Sequence, residues 1–149
     1  MALQEREVTQ YRTDGYLKVP QVLTPAEVAE FLEEATAMLR RHDTLQWPSE
    51  AGRGMDWGAD AELESRLMRR LALHPEVTAI AEQLAGRPLR LFKSELLRKE
   101  QVGSAPTPVH VDEGAFPISG EPVTLTAWVA LVDVPAERGC MTFAERAPS

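Results

Sequence analysis

The spacing of apolar residues changes along the chain, from a helical period in residues 1–88 to an extended pattern in residues 89–149. Within residues 24–41 the apolar positions recur every three to four residues, which predicts a helix with one buried face. That face comprises Val28, Phe31, Leu32, Ala35 and Leu39. The preceding Thr24-Pro25-Ala26-Glu27 is typical of a helix start, with a capping box and proline in the first turn.

Three further elements are predicted in the first half of the chain. A second helix is expected over residues 60–71, and a third over residues 75–86, between Pro75 and Gly86. Residues 16–19 form a short extended run between a turn pair and a proline, which predicts a strand.

Residues 42–60 interrupt the helical pattern with glycines and Pro48, so we predict a loop. Three bulky apolar residues, Trp47, Met55 and Trp57, lie within it. They either fold over a pocket as a lid or anchor the loop on the core, and the sequence leaves both alternatives open.

The second half contains three extended runs, residues 89–98, 123–134 and 139–143, separated by glycines and prolines. Side chains of a strand alternate between faces. In residues 123–134 one face is therefore aliphatic, whereas the other carries Thr124, Thr126 and Trp128. Helices followed by consecutive strands predict an α+β fold with an antiparallel sheet or barrel.

Composition restricts the class of protein further. The length of 149 residues suits one domain, and 16 basic against 23 acidic residues give a net charge of −7, which argues against nucleic acid and anionic membrane surfaces as partners. The apolar run of residues 127–132 is too short to span a membrane. With no visible signal peptide and Cys140 as the only cysteine, we expect a cytoplasmic protein.

The most specific chemical feature is His110-Val111-Asp112. If this triplet is extended, residues two apart share a face, so the imidazole and the carboxylate can bind one metal ion. A second histidine would complete the facial triad of non-haem Fe(II) oxygenases. Such a short motif also occurs by chance, and a solvated His and Asp at a strand end remain the alternative.

The order of several segments strengthens the metal interpretation. Residues 107–114, 125–131 and 139–141, together with 11–17 and 22–24, resemble the phytanoyl-CoA dioxygenase family. The resemblance implies an oxygenase dependent on Fe(II) and 2-oxoglutarate. It also implies N-terminal helices packed on a double-stranded β-helix, or jelly roll, of which only part is encoded here.

The resemblance assigns roles to individual residues. His110 and Asp112 match metal ligands of the family, and Lys99 matches a lysine near the 2-oxoglutarate of some members. Trp128 matches an aromatic residue of the co-substrate pocket, and Thr126 lies on the same strand face. The alternatives are a solvent-facing Lys99 and a Trp128 that belongs to the core.

Two departures from the family pattern are visible. The distal histidine ligand and the arginine that pairs with 2-oxoglutarate are missing before Ser149, so we expect a C-terminally truncated domain. Arg146 is misplaced for the second role, and His42 and His74 lie upstream in the helical region. Halogenating relatives replace the carboxylate ligand with a small residue, whereas Asp112 is retained, so the resemblance implies hydroxylation.

Three functional hypotheses follow. The chain is an oxygenase that hydroxylates a small organic substrate, or it is an incomplete family member that acts as a binding or assembly module. In the second case a second copy or a partner chain would complete the barrel, whose open strand edges are free to pair. The third hypothesis is a jelly-roll binding protein in which His110 and Asp112 have no metal role.

Overall fold

Helices and a small antiparallel sheet make up the regular structure in the computed structural model. The model describes residues 1–41, 45–46, 54–99, 104–112, 116–117, 120 and 123–144. The helices are α1 (Glu5–Asp14), α2 (Pro25–Arg41), α3 (Ala61–Glu64), α4 (Arg66–Ala72) and α5 (Pro75–Ala85). The strands β1 (Leu45–Gln46), β2 (Asp56–Ala59) and β3 (Glu95–Arg98) pair in that order, and Ala136–Arg138 is a 3₁₀ turn.

Helix α2 begins as predicted, with a reciprocal capping box. The backbone N–H of Glu27 donates to the Thr24 hydroxyl at 3.2 Å, and the Glu27 carboxylate accepts from the backbone N–H of Thr24 at 2.8 Å. These bonds satisfy backbone groups that a helix end leaves unpaired. The capping box therefore fixes where the buried face of α2 begins.

The core is built on that buried face. Phe31 is fully buried and clusters with Ala35 and Met38 of α2, Ala61 of α3 and Met68 of α4. Burial of a phenylalanine side chain of this kind stabilises a fold by about 1.5–3 kcal/mol. The half-buried residues packed against the cluster are Leu23, Leu67, Leu71, Leu96 and Leu131.

Two buried carboxylates fix the sheet region: one joins two strands and the other joins α3 to the residue before β3. Asp56 of β2 accepts from Nε and Nη2 of Arg98 on β3, at 2.9 and 2.6 Å. The carboxylate of Glu62 in α3 accepts from the backbone N–H of Ser94 at 3.0 Å and from its hydroxyl at 2.6 Å. Because both carboxylates are buried, these hydrogen bonds offset the cost of removing them from water.

The predicted loop over residues 42–60 is wrong in part. Strands β1 and β2 lie within it, and Trp57 of β2 pairs with both Leu45 of β1 and Leu97 of β3. These strands depend on pairing between residues that are distant in sequence, which a local sequence pattern does not reveal. Met55 is half-buried, and Trp47 lies outside the described residues.

The prediction at the N-terminus is also wrong. Residues 16–19 form no strand, and α1 precedes them. Helix α1 ends at Gly15, whose φ of 82° favours glycine and whose N–H donates to the Tyr11 carbonyl at 2.8 Å. An extended run needs a neighbouring strand to bond its backbone, and the described residues provide none beside this segment.

The other two helix predictions have different outcomes. Helix α5 agrees with expectation, from Pro75 to a left-handed Gly86. The expected helix over residues 60–71 is divided at Ser65, whose hydroxyl caps α4 by accepting from the N–H groups of residues 67 and 68 at 3.2 and 3.3 Å. Leu63 is consequently 73% exposed instead of buried.

The predicted strands of the second half are confirmed only at β3. Residues 123–134 and 139–143 form no strand in the described part of the chain. Leu125, Val129 and Leu131 are nevertheless half-buried, whereas Thr126 and Trp128 are exposed. The alternation is incomplete, because Val123 and Ala127 are exposed and Thr124 is half-buried. Helices and an antiparallel sheet are therefore both present, as an α+β fold requires. The described residues do not form a double-stranded β-helix, because the strands of such a fold must pair with neighbours and residues 123–134 and 139–143 do not. Among the described helices, none is long and apolar enough to cross a membrane.

The capping box of α2 predicts a specific pH dependence. Hydrogen bonds from the backbone N–H and hydroxyl of Thr24, and then from His74, lower the pKa of Glu27 from 4.5 to about 2. A carboxylate with a depressed pKa stabilises the fold above its unfolded pKa, and this contribution is lost as the pH falls from about 4.5 towards 2. We expect the stability difference between wild type and Glu27→Gln to shrink over that range in urea unfolding.

Glu33→Gln is the matched control, because Glu33 is an exposed glutamate of the same helix that lies outside the capping box. A difference between wild type and E27Q that stays constant between pH 7 and 3 would contradict the assignment. The expected curve for E33Q runs parallel to that of wild type.

Candidate metal centre

His110 and Asp112 lie together in the irregular segment of residues 104–112. His110 Nε2 is 3.2 Å from Asp112 Oδ1, and the two side chains are 59% and 46% exposed. The pair predicted from the spacing is therefore brought together, but in irregular backbone and not on a strand. Because both groups reach solvent, an ion can approach them.

The orientation of the imidazole is set by its other nitrogen. His110 Nδ1 lies 2.8 Å from the carbonyl oxygen of Pro108. A carbonyl can only accept a hydrogen bond, so Nδ1 carries the proton and donates. In the neutral ring Nε2 then presents a lone pair, and it faces Asp112. Such a contact to the second nitrogen is characteristic of metal-binding histidines.

Asp112 is held in a comparable way. The hydroxyl of Thr126 donates to Asp112 Oδ2 at 2.7 Å, across 14 positions of sequence. Oδ1 remains directed at His110 Nε2. Each candidate ligand thus has one atom bonded to the protein and one atom turned towards the other ligand.

The donor set fits a divalent metal. Two ligands at about 2.1 Å from an ion, roughly at right angles, are about 3 Å apart, close to the observed 3.2 Å. Imidazole with carboxylate is the donor chemistry of non-haem Fe(II) sites. No cluster of three or more His, Cys, Asp or Glu suited to a metal occurs in the described ranges, so His110 and Asp112 are two candidate ligands without a third.

The remaining predicted residues are not joined to this pair by any described contact. The Lys99 ammonium donates to the carbonyl of Ala105 at 3.0 Å, so it holds the start of the segment that carries His110. The Trp128 side chain is 47% exposed. Their proposed contacts with 2-oxoglutarate remain predictions.

Both ring nitrogens of His74 contact other groups of the protein, so this histidine is not a candidate metal ligand. Its ring is buried, Nδ1 accepts from the backbone N–H of Glu76 at 3.3 Å, and Nε2 lies 3.2 Å from Glu27. Both nitrogens are used at helix starts, as its position before Pro75 suggested. The Pro108 carbonyl, in contrast, was missed by sequence reasoning, because main-chain acceptors leave no signal in residue identity.

The chain matches a known protein family over most of its length. The profile of the phytanoyl-CoA dioxygenase family matches residues 11–144. The chain belongs to this family. The match includes both the helical half and the segment that carries His110 and Asp112.

Solved structures of non-haem α-ketoglutarate-dependent enzymes resemble the chain. The non-haem α-ketoglutarate-dependent epimerase SnoN from nogalamycin biosynthesis is 51% identical, with a TM-score of 0.71 over 76% of this chain and 46% of SnoN. SnoN in complex with Fe³⁺, α-ketoglutarate and nogalamycin RO is 54% identical, with a TM-score of 0.61 over 64% and 39% of the two chains.

A third structure, the non-haem α-ketoglutarate-dependent carbocyclase SnoK of the same biosynthesis, is 39% identical, with a TM-score of 0.84 over 89% of this chain and 53% of SnoK. The chain thus spans about half the length of these enzymes. The search of curated proteins gave no match. The iron and α-ketoglutarate bound in SnoN are the cofactor pair that the resemblance implies.

The contact with Pro108 predicts the tautomer of His110. At alkaline pH we expect protonated Nδ1 and unprotonated Nε2, measured by ¹⁵N correlation spectra of the imidazole rings, because the carbonyl requires a donor. Added Zn²⁺ should then shift the Nε2 resonance. His74, whose Nδ1 accepts a hydrogen bond, should show the opposite tautomer and serves as the internal control. An Nε2–H tautomer at His110 would contradict the proposed ligand geometry.

Proposed function

We propose that this chain provides the metal-binding half of an oxygenase dependent on Fe(II) and 2-oxoglutarate, acting on a small organic substrate. The observation that carries the proposal is the convergence of His110 Nε2 and Asp112 Oδ1 at 3.2 Å in a chain of this family. Two ligands on one side of an ion leave other positions for a further ligand, the co-substrate and dioxygen.

The residues of the chain would divide the work as follows. His110 and Asp112 would hold the Fe(II), and the bound metal would supply the chemistry of dioxygen activation coupled to oxidative decarboxylation of 2-oxoglutarate. Lys99 places a positive charge near the acidic co-substrate; its ammonium has three donors, of which one is used at Ala105. Trp128 offers an exposed flat apolar surface for the co-substrate pocket.

The relatives suggest both the substrate and the outcome of the reaction. SnoN is an epimerase and SnoK a carbocyclase, and both belong to nogalamycin biosynthesis. Epimerisation, ring closure and hydroxylation all require that a C–H bond of the substrate is broken. We therefore propose C–H cleavage on a nogalamycin-type molecule. Epimerisation is supported by the identity to SnoN, and hydroxylation is the outcome that Asp112 suggests.

Turnover tests this proposal directly. We expect succinate to form from 2-oxoglutarate when the chain is supplied with Fe(II), dioxygen, nogalamycin and ascorbate, and at least a tenfold loss with Asp112→Ala, because a metal ligand is removed. Dioxygen accepts four electrons, of which 2-oxoglutarate supplies two. The substrate supplies the other two in hydroxylation and ring closure, whereas ascorbate supplies them in epimerisation, which is redox-neutral. The mass of the organic product distinguishes the outcomes. It is unchanged after epimerisation, loses two hydrogens after ring closure and gains one oxygen after hydroxylation.

Asp133→Ala is the control, since Asp133 is an exposed aspartate outside the metal segment. If wild type binds neither Fe(II) nor 2-oxoglutarate in calorimetry, the chain by itself is not the catalyst. Equal succinate formation by wild type and D112A would exclude Asp112 as a ligand.

A second candidate function is supported by the exposed apolar side chains near the site. Val109 and Val111 are 88% and 75% exposed, and Trp128, Val132 and Phe143 are about half exposed. Exposed apolar side chains commonly mark an interface where they form one continuous patch. The chain would then be a catalytically incomplete family member, in which a second copy or a partner chain covers this surface and completes the metal site.

Concentration dependence separates the two candidates. If a second copy completes the site, native mass spectrometry should show dimers, and Fe(II) affinity should rise with protein concentration, because dimerisation brings in further ligands. Val111→Asp should then weaken dimers and Fe(II) binding together, whereas Asp133→Ala should affect neither. A monomer with full turnover would contradict this second candidate.

A further inference from the structure

The hydroxyl of Thr126 has one hydrogen to donate, and the structure shows where it goes. Its oxygen lies 2.7 Å from Asp112 Oδ2. An ionised carboxylate can only accept, so the hydroxyl must donate this hydrogen bond. The distance is typical of a bond between a hydroxyl and a carboxylate. The single donor of Thr126 is therefore committed to the candidate metal ligand.

The hydrogen bond from Thr126 to Asp112 restricts what Thr126 can do in co-substrate binding. 2-Oxoglutarate carries two carboxylates and a keto group, which all accept hydrogen bonds and donate none. Thr126 cannot donate to this molecule while it donates to Asp112. Its two lone pairs find no partner hydrogen on the co-substrate. Thr126 must therefore serve one of the two groups and not both.

We propose that Thr126 is a positioning residue, which orients Asp112 for the metal and does not bind 2-oxoglutarate. The inference rests on the proposed function for the metal, but it concerns a different contact. By holding Oδ2, Thr126 keeps Oδ1 turned towards His110 Nε2. The same bond ties residues 104–112 to residues 123–134, where Leu131 packs against the core cluster.

Exposure makes the orienting contact necessary. Asp112 is 46% exposed, so little packing restricts its rotation. A carboxylate that must first be ordered binds an ion more weakly than one already held in place. Loss of a contact behind a metal ligand typically lowers metal affinity by about 10–100-fold. Because Thr126 is itself exposed, its substitution should leave the helical core intact.

Mn²⁺ binding to the full chain tests the role, with free Mn²⁺ measured by electron paramagnetic resonance. We expect Thr126→Val, which removes the hydroxyl but keeps the shape, to weaken Mn²⁺ binding by about 10–100-fold. Thr126→Ser retains the donor and should stay within about threefold of wild type. Thr142→Val, at an exposed threonine outside the site, is the matched control and should bind as wild type does. Equal midpoint temperatures of thermal unfolding for wild type and all variants would show that the substitutions leave the fold intact.

Titration of 2-oxoglutarate at saturating Mn²⁺ distinguishes positioning from co-substrate binding. Positioning predicts that T126V leaves 2-oxoglutarate affinity within about twofold of wild type once the metal is bound. Unchanged Mn²⁺ affinity in T126V, or equally weak binding in T126S and T126V, overturns the inference. The inference is also overturned if T126V loses affinity for 2-oxoglutarate but keeps its affinity for Mn²⁺. If wild type itself binds no Mn²⁺, the proposed function fails and the positioning role with it, whereas the other outcomes overturn positioning alone.

Discussion

The packing of Phe31 is the interaction on which the rest of the structure depends. Its side chain is fully buried at the centre of the cluster formed by α2, α3 and α4. The sheet reaches this cluster through Leu96 of β3, and the segment that carries Thr126 reaches it through Leu131. Removal of a core phenylalanine commonly costs about 3–5 kcal/mol. The orientation of the candidate metal ligands is thus connected to a helical core, although these two side chains are themselves exposed.

The two halves of the chain differ in how their backbone groups are bonded. A helix satisfies its own N–H and C=O groups apart from its ends, so α2 and α5 need only caps and one buried face. A strand depends on its neighbours. β3 has such a neighbour in β2, whereas residues 123–134 have no regular pairing in the described part of the chain, although Leu125, Val129 and Leu131 are half-buried.

The same distinction explains how much the sequence could predict. The ends of α2 and α5 were predictable because Thr24, Glu27, Pro75 and Gly86 act within a few residues of themselves. The pairing of β1 with β2 was not, since nothing local specifies it. His110 and Asp112 were expected to meet on a shared strand face, but they meet in irregular backbone. The Pro108 contact depends on that local backbone, and the Thr126 contact depends on tertiary placement. Those contacts turn a short motif into an oriented pair of donors.

The contrast between Asp56 and Asp112 shows why only one of them is suited to a metal. Asp56 is buried and bonded twice to the guanidinium of Arg98, so its charge is already balanced within the protein. The described contacts of Asp112 are a neutral hydroxyl and an imidazole whose Nδ1 is fixed as a donor. A neutral donor orients a carboxylate without cancelling its charge, and Nε2 of the neutral ring adds a lone pair beside it. The carboxylate of Asp112 therefore retains its attraction for a cation, whereas the carboxylate of Asp56 is neutralised by Arg98 in a contact that joins two strands.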